Sequence, residues 1–450
     1  MFNWHKKEKP FLGYGGFGGA STGLAFGGAA SQSYWFVTLA GSSNDMFYGV
    51  ALDSSDNIIV GGSTTSEGEG SNDFLLAKYD IDGAIQWQKV AGTSDNDNGY
   101  AVDVDSGGEI AIVGRRFSGS AYSDAAFQLF DSGGGASGGG AQYRALIGSG
   151  TDQEYFHSVK RNSSNETFLA GSTNAGGSGD RILIAKYDSS NNISFQKKYG
   201  GSYEGTNDKG DSLALDSSGN MYVVGTTNNG PSSDNDIVVV KFNSSGVIQW
   251  QRGIGKSGND YGYGICLDSS NNVYVVGETA GTGGNQETAI IIKYNSSGTY
   301  QWNRILTGGN QSWFAGVCVD SSDNVYACGR NTSGTQLIIA KYNSSGTIQW
   351  QRGFGASGDQ EGYSMQCDSN DNLIIAGKTG SSALILKLPN DGSLTGTYGS
   401  YTYQSTSFTD GTATLTEAAV SNSVSDAGLT ASTVSNTVST ATLTSSTTSL

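Results

Sequence analysis

The chain has 450 residues and a formal net charge of −16, with a pI near 4.5. Its 68 glycines and only 3 prolines are typical of many short strands joined by tight turns, and no long helical period is visible. The acidity argues against a nucleic-acid partner, whose phosphates require a basic surface. No apolar stretch is long enough to predict insertion into a membrane.

Residues 1–33 are a leader rich in glycine and aromatic residues. Basic residues come first, as in an export signal, but glycine interrupts the following stretch too often for the apolar helix of a signal peptide. A flexible chain with bulky aromatic side chains suits docking into grooves of a partner protein, and a disordered linker is the alternative. The candidate anchoring residues are Phe2, Trp4, Lys6, Lys7, Pro10 and Phe11.

A short turn motif, Asp-Ser-Ser-x-Asn or a variant of it, recurs along the chain about every 50 residues, which indicates one repeated supersecondary unit. Asp, Asn, Ser and Gly form tight turns, so each copy predicts a hairpin. The copies begin at Asp53, Asp105, Asn162, Asp216, Asp268, Asp320 and Asp368.

One repeat reads as four antiparallel strands. Residues 264–267 and 272–277 flank the turn at Asp268, and residues 289–294 and 300–304 flank a second turn, Asn-Ser-Ser-Gly. The apolar and β-branched residues of these stretches suit a pleated, half-buried surface. The sequence therefore predicts an all-β, seven-bladed β-propeller of four-stranded antiparallel blades over residues 34–399.

Two residue types repeat along the later strands of the blades. The fourth strand carries an aromatic residue that we expect to be a packing residue. The third strand carries a lysine that we expect to place its ammonium group near a turn acid. The aromatic residues are Trp35, Trp87, Tyr143, Phe195, Trp250, Trp302 and Trp350, and the lysines are Lys78, Lys186, Lys241, Lys293, Lys341 and Lys387.

The motif of a fourth strand already appears at residues 34–39, before any first strand. The last repeat, by contrast, ends weakly after its third strand at 384–388. We predict that strand 34–39 joins the last blade as its outer strand and closes the ring, because an open array would leave an unpaired seam.

Blades two and three are irregular. Blade two has a glycine-rich insertion at 133–140, and blade three has Asn162 in place of the usual aspartate and His157 in place of the usual tyrosine. The four cysteines lie in strands of the last three blades, where we expect buried free thiols, with a structural cross-link as the alternative. They are Cys266, Cys318, Cys328 and Cys367.

Residues 400–450 form a tail of mostly Ser, Thr and Ala, with apolar residues spaced four to seven apart. Such a segment cannot bury much surface alone. We expect it to be either disordered or extended along a neighbouring subunit of a homo-oligomer.

The loops differ between the two faces of the predicted ring. One face receives the uniform turns, and the other receives variable segments, where recognition is expected. The variable segments are 63–73, 115–124, 172–180, 226–236, 278–287, 330–336 and 378–382. The same face collects acidic candidates for binding, which are Asp45, Asp95, Asp97, Asp152, Glu154, Asp208, Asp260, Asp359 and Glu361.

These acids suggest two kinds of chemistry. The stretch from Asp95 to Gly99 is rich in oxygen ligands, but it lacks the spacing of a calcium-binding EF-hand loop, so no cofactor is expected and calcium is a weak alternative. Two carboxylates on neighbouring blades would suit glycoside cleavage. The chain has no nucleophile elbow, zinc motif or phosphate loop, and we therefore expect a protein that is not an enzyme.

The repeats resemble the bacterial family of seven-bladed beta-propeller repeats, whose pattern is Tyr-Gly-x-x-x-Asp-Ser-Ser-x-Asn-x-Tyr-Val-x-Gly, then Lys-Tyr-Asn-Ser-Ser-Gly-x-x-x-Trp. The match covers about residues 34–395. The resemblance implies the propeller fold, but propellers serve as enzymes, adhesins and scaffolds alike.

The leader resembles one that precedes virion proteins of marine tailed phages, especially cyanophages, through Lys6 to Phe11 and the following Gly/Phe-rich run. This resemblance implies a non-enzymatic structural protein of a phage particle, in a tail, a fibre or a surface appendage. Its partners would be other virion proteins, and its variable face would contact a glycan or protein of the host surface. A secreted adhesin is the alternative, followed by a polysaccharide hydrolase or lyase. Tyr122 and Trp313 are candidates for stacking on sugars.

Overall fold

The structure, a computed structural model, describes most of the chain after the leader. The described residues are 33–117, 123–137, 143–147, 152–174, 179–200, 207–232, 234–281, 287–308, 311–332, 336–418, 420, 423–426, 430–434, 437–440 and 443–449. The predicted anchoring residues of the leader and the stacking candidate Tyr122 lie outside them. Within this part of the chain, no helix is long and apolar enough to cross a bilayer.

In these residues the chain forms seven antiparallel sheets around a central channel, and the predicted propeller is confirmed. Strand β1 (Trp35–Ala40) precedes the first blade. Blade 1 has β2 (Asp45–Leu52), β3 (Ile58–Thr64), β4 (Asp73–Tyr79) and β5 (Ile85–Gly92). Blade 2 has β6 (Asp97–Val104), β7 (Ile110–Phe117), β8 (Ser123–Phe130) and β9 (Tyr143–Ile147).

The next three blades repeat this order. Blade 3 has β10 (Glu154–Arg161), β11 (Thr167–Thr173), β12 (Arg181–Tyr187) and β13 (Ile193–Gly200). Blade 4 has β14 (Lys209–Leu215), β15 (Met221–Thr227), β16 (Asp236–Phe242) and β17 (Ile248–Gly255). Blade 5 has β18 (Tyr261–Leu267), β19 (Val273–Ala280), β20 (Glu287–Tyr294) and β21 (Tyr300–Thr307).

The last two blades complete the ring. Blade 6 has β22 (Ser312–Val319), β23 (Val325–Asn331), β24 (Gln336–Tyr342) and β25 (Ile348–Gly355). Blade 7 has β26 (Gln360–Cys367), β27 (Leu373–Thr379) and β28 (Ser382–Leu388), followed by β1. The register runs from Trp35 opposite Lys387 to Leu39 opposite Ala383, so the predicted closing strand is confirmed.

The tail adds a further strand to the outer edge of every blade. Strands β29 (Gly396–Tyr398) and β30 (Tyr401–Ser405) lie on blade 6. The strands that follow are β31 (Thr409–Gly411), β32 (Thr416–Ala418), β33 (Ser423–Asp426), β34 (Thr430–Val434), β35 (Thr437–Thr440) and β36 (Thr444–Ser449). They pair in turn with the outer strands of blades 5, 4, 3, 2, 1 and 7, so the tail encircles the ring once against the order of the blades.

This arrangement differs from the expected tail on a neighbouring subunit. A four-stranded blade leaves one unpaired edge of N–H and C=O groups at the rim, and the tail of the same chain supplies its partner. Tyr403, Val420 and Leu443 are buried between the blades, so the sparse apolar residues of the tail fix it to the rim.

The repeated motif residues hold the uniform face together. In each turn the first carboxylate or amide oxygen accepts backbone N–H groups, as Asp53 Oδ1 does from Ser55 at 2.9 Å and Asn57 at 3.0 Å. Adjacent turns are then linked, because Ser369 Oγ of blade 7 donates to Asp56 Oδ2 of blade 1 at 2.5 Å. The lysines behave as predicted, since Lys78 Nζ lies 2.8 Å from the Asp53 carboxylate.

The repeated tryptophans have a packing role that crosses between blades. Trp35 is buried, and its indole nitrogen donates to the carbonyl of Ile81 in the next blade at 3.2 Å. Gly83 in that turn has a φ of +83° and lies against the indole ring, where a Cβ atom would collide with it. Trp87, Trp250, Trp302 and Trp350 make the corresponding bond.

Candidate ligand-binding site at the mouth of the channel

Five of the nine predicted acidic site residues are fully buried. They occupy one repeated position beside the start of the innermost strand, and they are Asp45, Asp97, Glu154, Asp208 and Asp260. Asp97 Oδ2, for example, accepts the backbone N–H of Thr93 at 2.6 Å. Asp45 and Asp260 likewise accept a backbone N–H of the preceding loop. Because all five carboxylates are withdrawn from solvent, they do not form the open acidic ring that we expected.

The other four acids have different environments. Asp95, Asp152 and Asp359 are half-buried. Glu361 is nearly buried within an ion-pair cluster at the channel. Among the described residues, no group of three or more His, Cys, Asp and Glu side chains is placed to hold a metal ion.

Each innermost strand contains a β-bulge, and the extra residue lines the central channel. The carbonyl two residues before the bulged residue lies against the glycine of the second strand. A Cβ atom on Gly277 would collide with the carbonyl oxygen of Tyr261, which explains the glycine that ends the repeated Val-x-Gly motif. The bulged residues, here called the channel ring, are Tyr48, Tyr100, His157, Asp211, Tyr263, Ala315 and Tyr363.

The channel ring surrounds a cavity of about 130 Å³. The ring centroids of Tyr48 lie 6.0 Å from Tyr100 and 4.9 Å from Tyr363, and those of Tyr100 and His157 lie 5.3 Å apart. His157 Nδ1 is 3.7 Å from Asp211 and 3.0 Å from the carbonyl of Gly210, so the histidine makes polar contacts in addition to packing. A cavity of this size admits a few waters or one small polar group.

Two residues above the channel ring, toward the variable face, each innermost strand presents a side chain paired in register with one from the second strand. These pairs form the channel mouth. No two pairs are the same, although tyrosine, serine, arginine, glutamate and lysine each occur twice: Met46 with Ser63, Asn98 with Arg115, Tyr155 with Ser172, Lys209 with Thr226, Tyr261 with Glu278, Trp313 with Arg330, and Glu361 with Lys378.

On the side of blades 5 to 7 the mouth is aromatic and its charges are paired. Arg330 lies 5.5 Å from the centroid of the Trp313 ring and forms ion pairs with Glu361 and, at 2.9 Å, with Asp359. The hydroxyl of Tyr363 donates to Glu361 at 2.5 Å. Trp313, a stacking candidate from the sequence, is therefore placed at the mouth and half-buried.

A second carboxylate on this side holds its proton near neutral pH. Burial raises the pKa of Glu278 to about 7, although the hydroxyl of Tyr263, which donates to it at 2.7 Å, acts in the opposite direction. Tyr261 stacks parallel to Tyr263 at 6.3 Å. Blade 5 thus offers both hydrogen-bonding and stacking groups to a ligand.

On the side of blade 2 the mouth is cationic. The Nε atom of Arg115 donates to Asn98 at 3.1 Å, and its guanidinium carbon lies 4.8 Å from the Phe117 ring and 5.4 Å from the Tyr155 ring. The sequence did not predict a role for Arg115, Tyr155, Tyr261, Glu278 and Arg330. Their signal is positional, because they lie two residues before the bulged residue or directly after the repeated second-strand glycine, at places where the residue type varies among the repeats.

The comparisons with known proteins bear on the fold. Residues 249–285 match the family model of a beta-propeller repeat. This match lies across blades 4 and 5 and supports the resemblance of the whole repeat array. A comparison with curated protein sequences finds no match.

Several solved structures are similar to this propeller. The crystal structure of the polysaccharide lyase Uly1 is 9% identical, with a TM-score of 0.47, and covers 81% of this chain and 93% of its own. Sqt1 from Chaetomium thermophilum is 10% identical, with a TM-score of 0.39 and coverages of 78% and 100%. A glucose dehydrogenase is 11% identical, with a TM-score of 0.37 and coverages of 61% and 95%. Such distant similarity carries no activity over to this chain.

Proposed function

We propose that this chain is a non-enzymatic binding protein of a tailed-phage particle, and that its channel mouth binds a glycan of the host surface. The binding role is supported by a difference in variability between two sets of positions in the repeats. Residues that the fold needs repeat from blade to blade, whereas no two blades have the same pair of residues at the mouth. Side chains that differ where the backbone is constant are typical of recognition.

The chemistry of the mouth favours a sugar over an apolar ligand. Trp313 and Tyr261 offer ring faces to the C–H faces of a pyranose, and each is backed by a second group, Arg330 or Tyr263. The hydroxyls of the channel ring and the carboxylates of Glu278 and Glu361 supply hydrogen-bonding partners. The cavity below is too small for a whole oligosaccharide, so the ligand would lie across the mouth.

A glycan array probed with the full chain tests this proposal. We expect the wild type to bind, and Trp313→Ala to reduce binding by about 5-fold or more, since a buried aromatic contact is worth about 1–3 kcal/mol. The matched control is Val247→Ala, which alters an exposed apolar residue on the uniform face. Equal binding by wild type and Trp313→Ala would place the ligand elsewhere.

The resemblance of the leader supports the virion part of the proposal. We expect deletion of residues 1–33 to abolish incorporation into phage particles while leaving the propeller folded. Unchanged incorporation would contradict this role and favour a secreted adhesin. The enzymatic alternative loses two of its sequence candidates, because Glu154 and Asp208 are fully buried. Turnover of any glycan that binds the array would revive it.

A further inference from the structure

We propose that the glycan carries an anionic group, a carboxylate or a sulfate ester, and that Arg115 binds it. This inference rests on the proposed function and names the class of ligand for the same site. It concerns the cationic side of the mouth, at blade 2, opposite the aromatic side at blades 5 and 6.

Arg115 is held in one position before any ligand arrives. Its guanidinium lies over the rings of Phe117 and Tyr155, and its Nε atom is hydrogen-bonded to Asn98. Tyr155 is itself stacked on His157 of the channel ring, with centroids 5.9 Å apart. A cation fixed in this way loses little conformational entropy on binding.

Arg115 is also uncompensated. Across the described residues, no carboxylate lies within ion-pairing distance of its guanidinium, and its terminal nitrogens make no hydrogen bond there. The other cations of the mouth are paired: Arg330 with Asp359 and Glu361, Lys378 with Glu361 at 3.5 Å, and Lys209 with Asp180 at 3.6 Å. In a chain with 41 acidic and 25 basic residues, an unpaired arginine at a concave site is set apart from its surroundings.

The positive charge of Arg115 affects the pKa of two tyrosines that line the channel. Burial raises the pKa of Tyr100 to about 12, and the charge of Arg115 opposes this effect there and at Tyr48. Both tyrosines line the cavity beneath the mouth. The planar terminal nitrogens of a guanidinium match the paired oxygens of a carboxylate or a sulfate.

The ligand geometry follows from the ring. Blade 2 and blades 5 and 6 are as far apart as a seven-membered ring allows. A saccharide stacked on Trp313 or Tyr261 would therefore have to extend across the mouth to reach Arg115. The expected ligand is an acidic oligosaccharide that bridges the mouth.

The test is an array in which each neutral oligosaccharide is matched with its uronate and with its sulfate ester, probed with the full chain. We expect binding to the anionic members to exceed binding to the neutral ones by about 10-fold or more. Arg115→Gln should remove that difference, and Arg115→Lys should retain part of it. The control is Arg304→Gln, because Arg304 also stacks on a tryptophan, at 5.7 Å, but at the rim.

The outcomes separate this inference from the proposed function. Equal binding to neutral and anionic members would overturn the role of Arg115 and leave the glycan site standing. Binding to no member at all would overturn both. Preference between the uronate and sulfate members identifies the source of the negative charge. High salt should weaken the preference of the wild type for the anionic members.

Discussion

The guanidinium of Arg161 in blade 3 binds the carboxylate of Asp105 in blade 2, with Nη2 and Nε at 2.6 and 3.2 Å from Oδ2 and both side chains about 1% exposed. In blade 2 the repeated third-strand lysine is replaced by Leu129, which faces Ala111 in the register. Arg161 supplies the missing cation from the next blade. One ion pair between the two irregular blades thus takes the place of the lysine that blade 2 lacks.

We expect Arg161→Gln to lower the free energy of unfolding by about 3–5 kcal/mol, because it leaves a buried carboxylate without its cation. The measurement is chemical denaturation followed by tryptophan fluorescence. Asp105→Asn in the same chain should restore part of the loss, since it removes the uncompensated charge. A loss no larger than that of Lys241→Gln, whose ion pair with Asp216 spans 3.9 Å, would contradict this account.

We expect removal of residues 400–450 to lower the melting temperature and to cause aggregation, because seven blade edges and the pocket of Tyr403 become exposed. Thermal unfolding and light scattering measure the two effects. Removal of 444–450 alone opens only the edge of blade 7 and should have a smaller effect. Identical melting of the full chain and the long truncation would show that the outer strands do not stabilise the ring.

The sequence predicted the ring because seven turns at one spacing admit few other folds, and it predicted β1 because an unpaired fourth strand needs a partner. It did not predict the course of the tail. The tail strands β31 to β36 begin at Thr409, Thr416, Ser423, Thr430, Thr437 and Thr444, one every seven residues and one for each blade except blade 6, which β30 covers. The spacing of the apolar residues in the tail did not reveal this seven-residue period, because an outer strand at the rim of the ring needs few apolar side chains.

The site was harder to predict than the fold. The acids near the variable face were found, but the direction of a side chain along the innermost strand depends on the bulge, which shifts the alternation by one residue. In blade 2 the register shifts between Gly99 and Ala101, and the extra residue, Tyr100, lines the channel, whereas Asp97 at the start of the same strand is buried. The sequence alone does not show where the bulge lies, so it does not distinguish the acids that bind the loop from the residues that face the channel.

The buried acids predict a falling stability as pH rises from about 4 to 7. Burial raises the pKa of Asp73 to about 7 and that of Asp260 to about 6. A carboxyl with a raised pKa keeps its proton in the folded state, so its contribution is fully present below the unfolded pKa and is lost as pH rises through the folded pKa.

Thermal unfolding at pH 5 and pH 8 tests this prediction, and we expect the higher melting temperature at pH 5. The carboxyls with lowered pKa do not interfere in this window. Burial alone would raise the pKa of Asp53, but bonds from Lys78 and Asn57 lower it, so its contribution is lost only in more acidic solution. Asp73→Asn should reduce the difference between pH 5 and pH 8, and a higher melting temperature at pH 8 in the wild type would refute the assignment.

We expect Gly277→Ala to destabilise the propeller and to displace Tyr263 and Glu278, because the added methyl group collides with the carbonyl of the bulge. The loss should reach about 1–3 kcal/mol, as for other overpacked sites. Gly411→Ala is the control, since a Cβ atom there would lie 3.8 Å from its nearest neighbour. Equal stability of the two variants would mean that the bulge does not require glycine.

The thiols of Cys318 in blade 6 and Cys367 in blade 7 are in contact, with their sulfur atoms 2.7 Å apart. Both are free thiols in this structure, and burial raises the pKa of Cys318. Oxidised glutathione should link them slowly, because little thiolate is present. The two thiols lose two protons and two electrons, and the reagent is reduced to two glutathione molecules.

Peptide mapping under non-reducing conditions measures this cross-link, which joins the innermost strands of neighbouring blades. Cys318→Ser and Cys367→Ser should each prevent it, and Cys328→Ser should not. The oxidised chain should melt at a higher temperature, because the cross-link closes a loop between blades 6 and 7 and so lowers the conformational entropy of the unfolded chain. A link between Cys266 and Cys367 would contradict this prediction, because the contact between Cys318 and Cys367 would then not be the reactive one. The strand ends at this side of the channel would in that case have to be more mobile than their burial indicates.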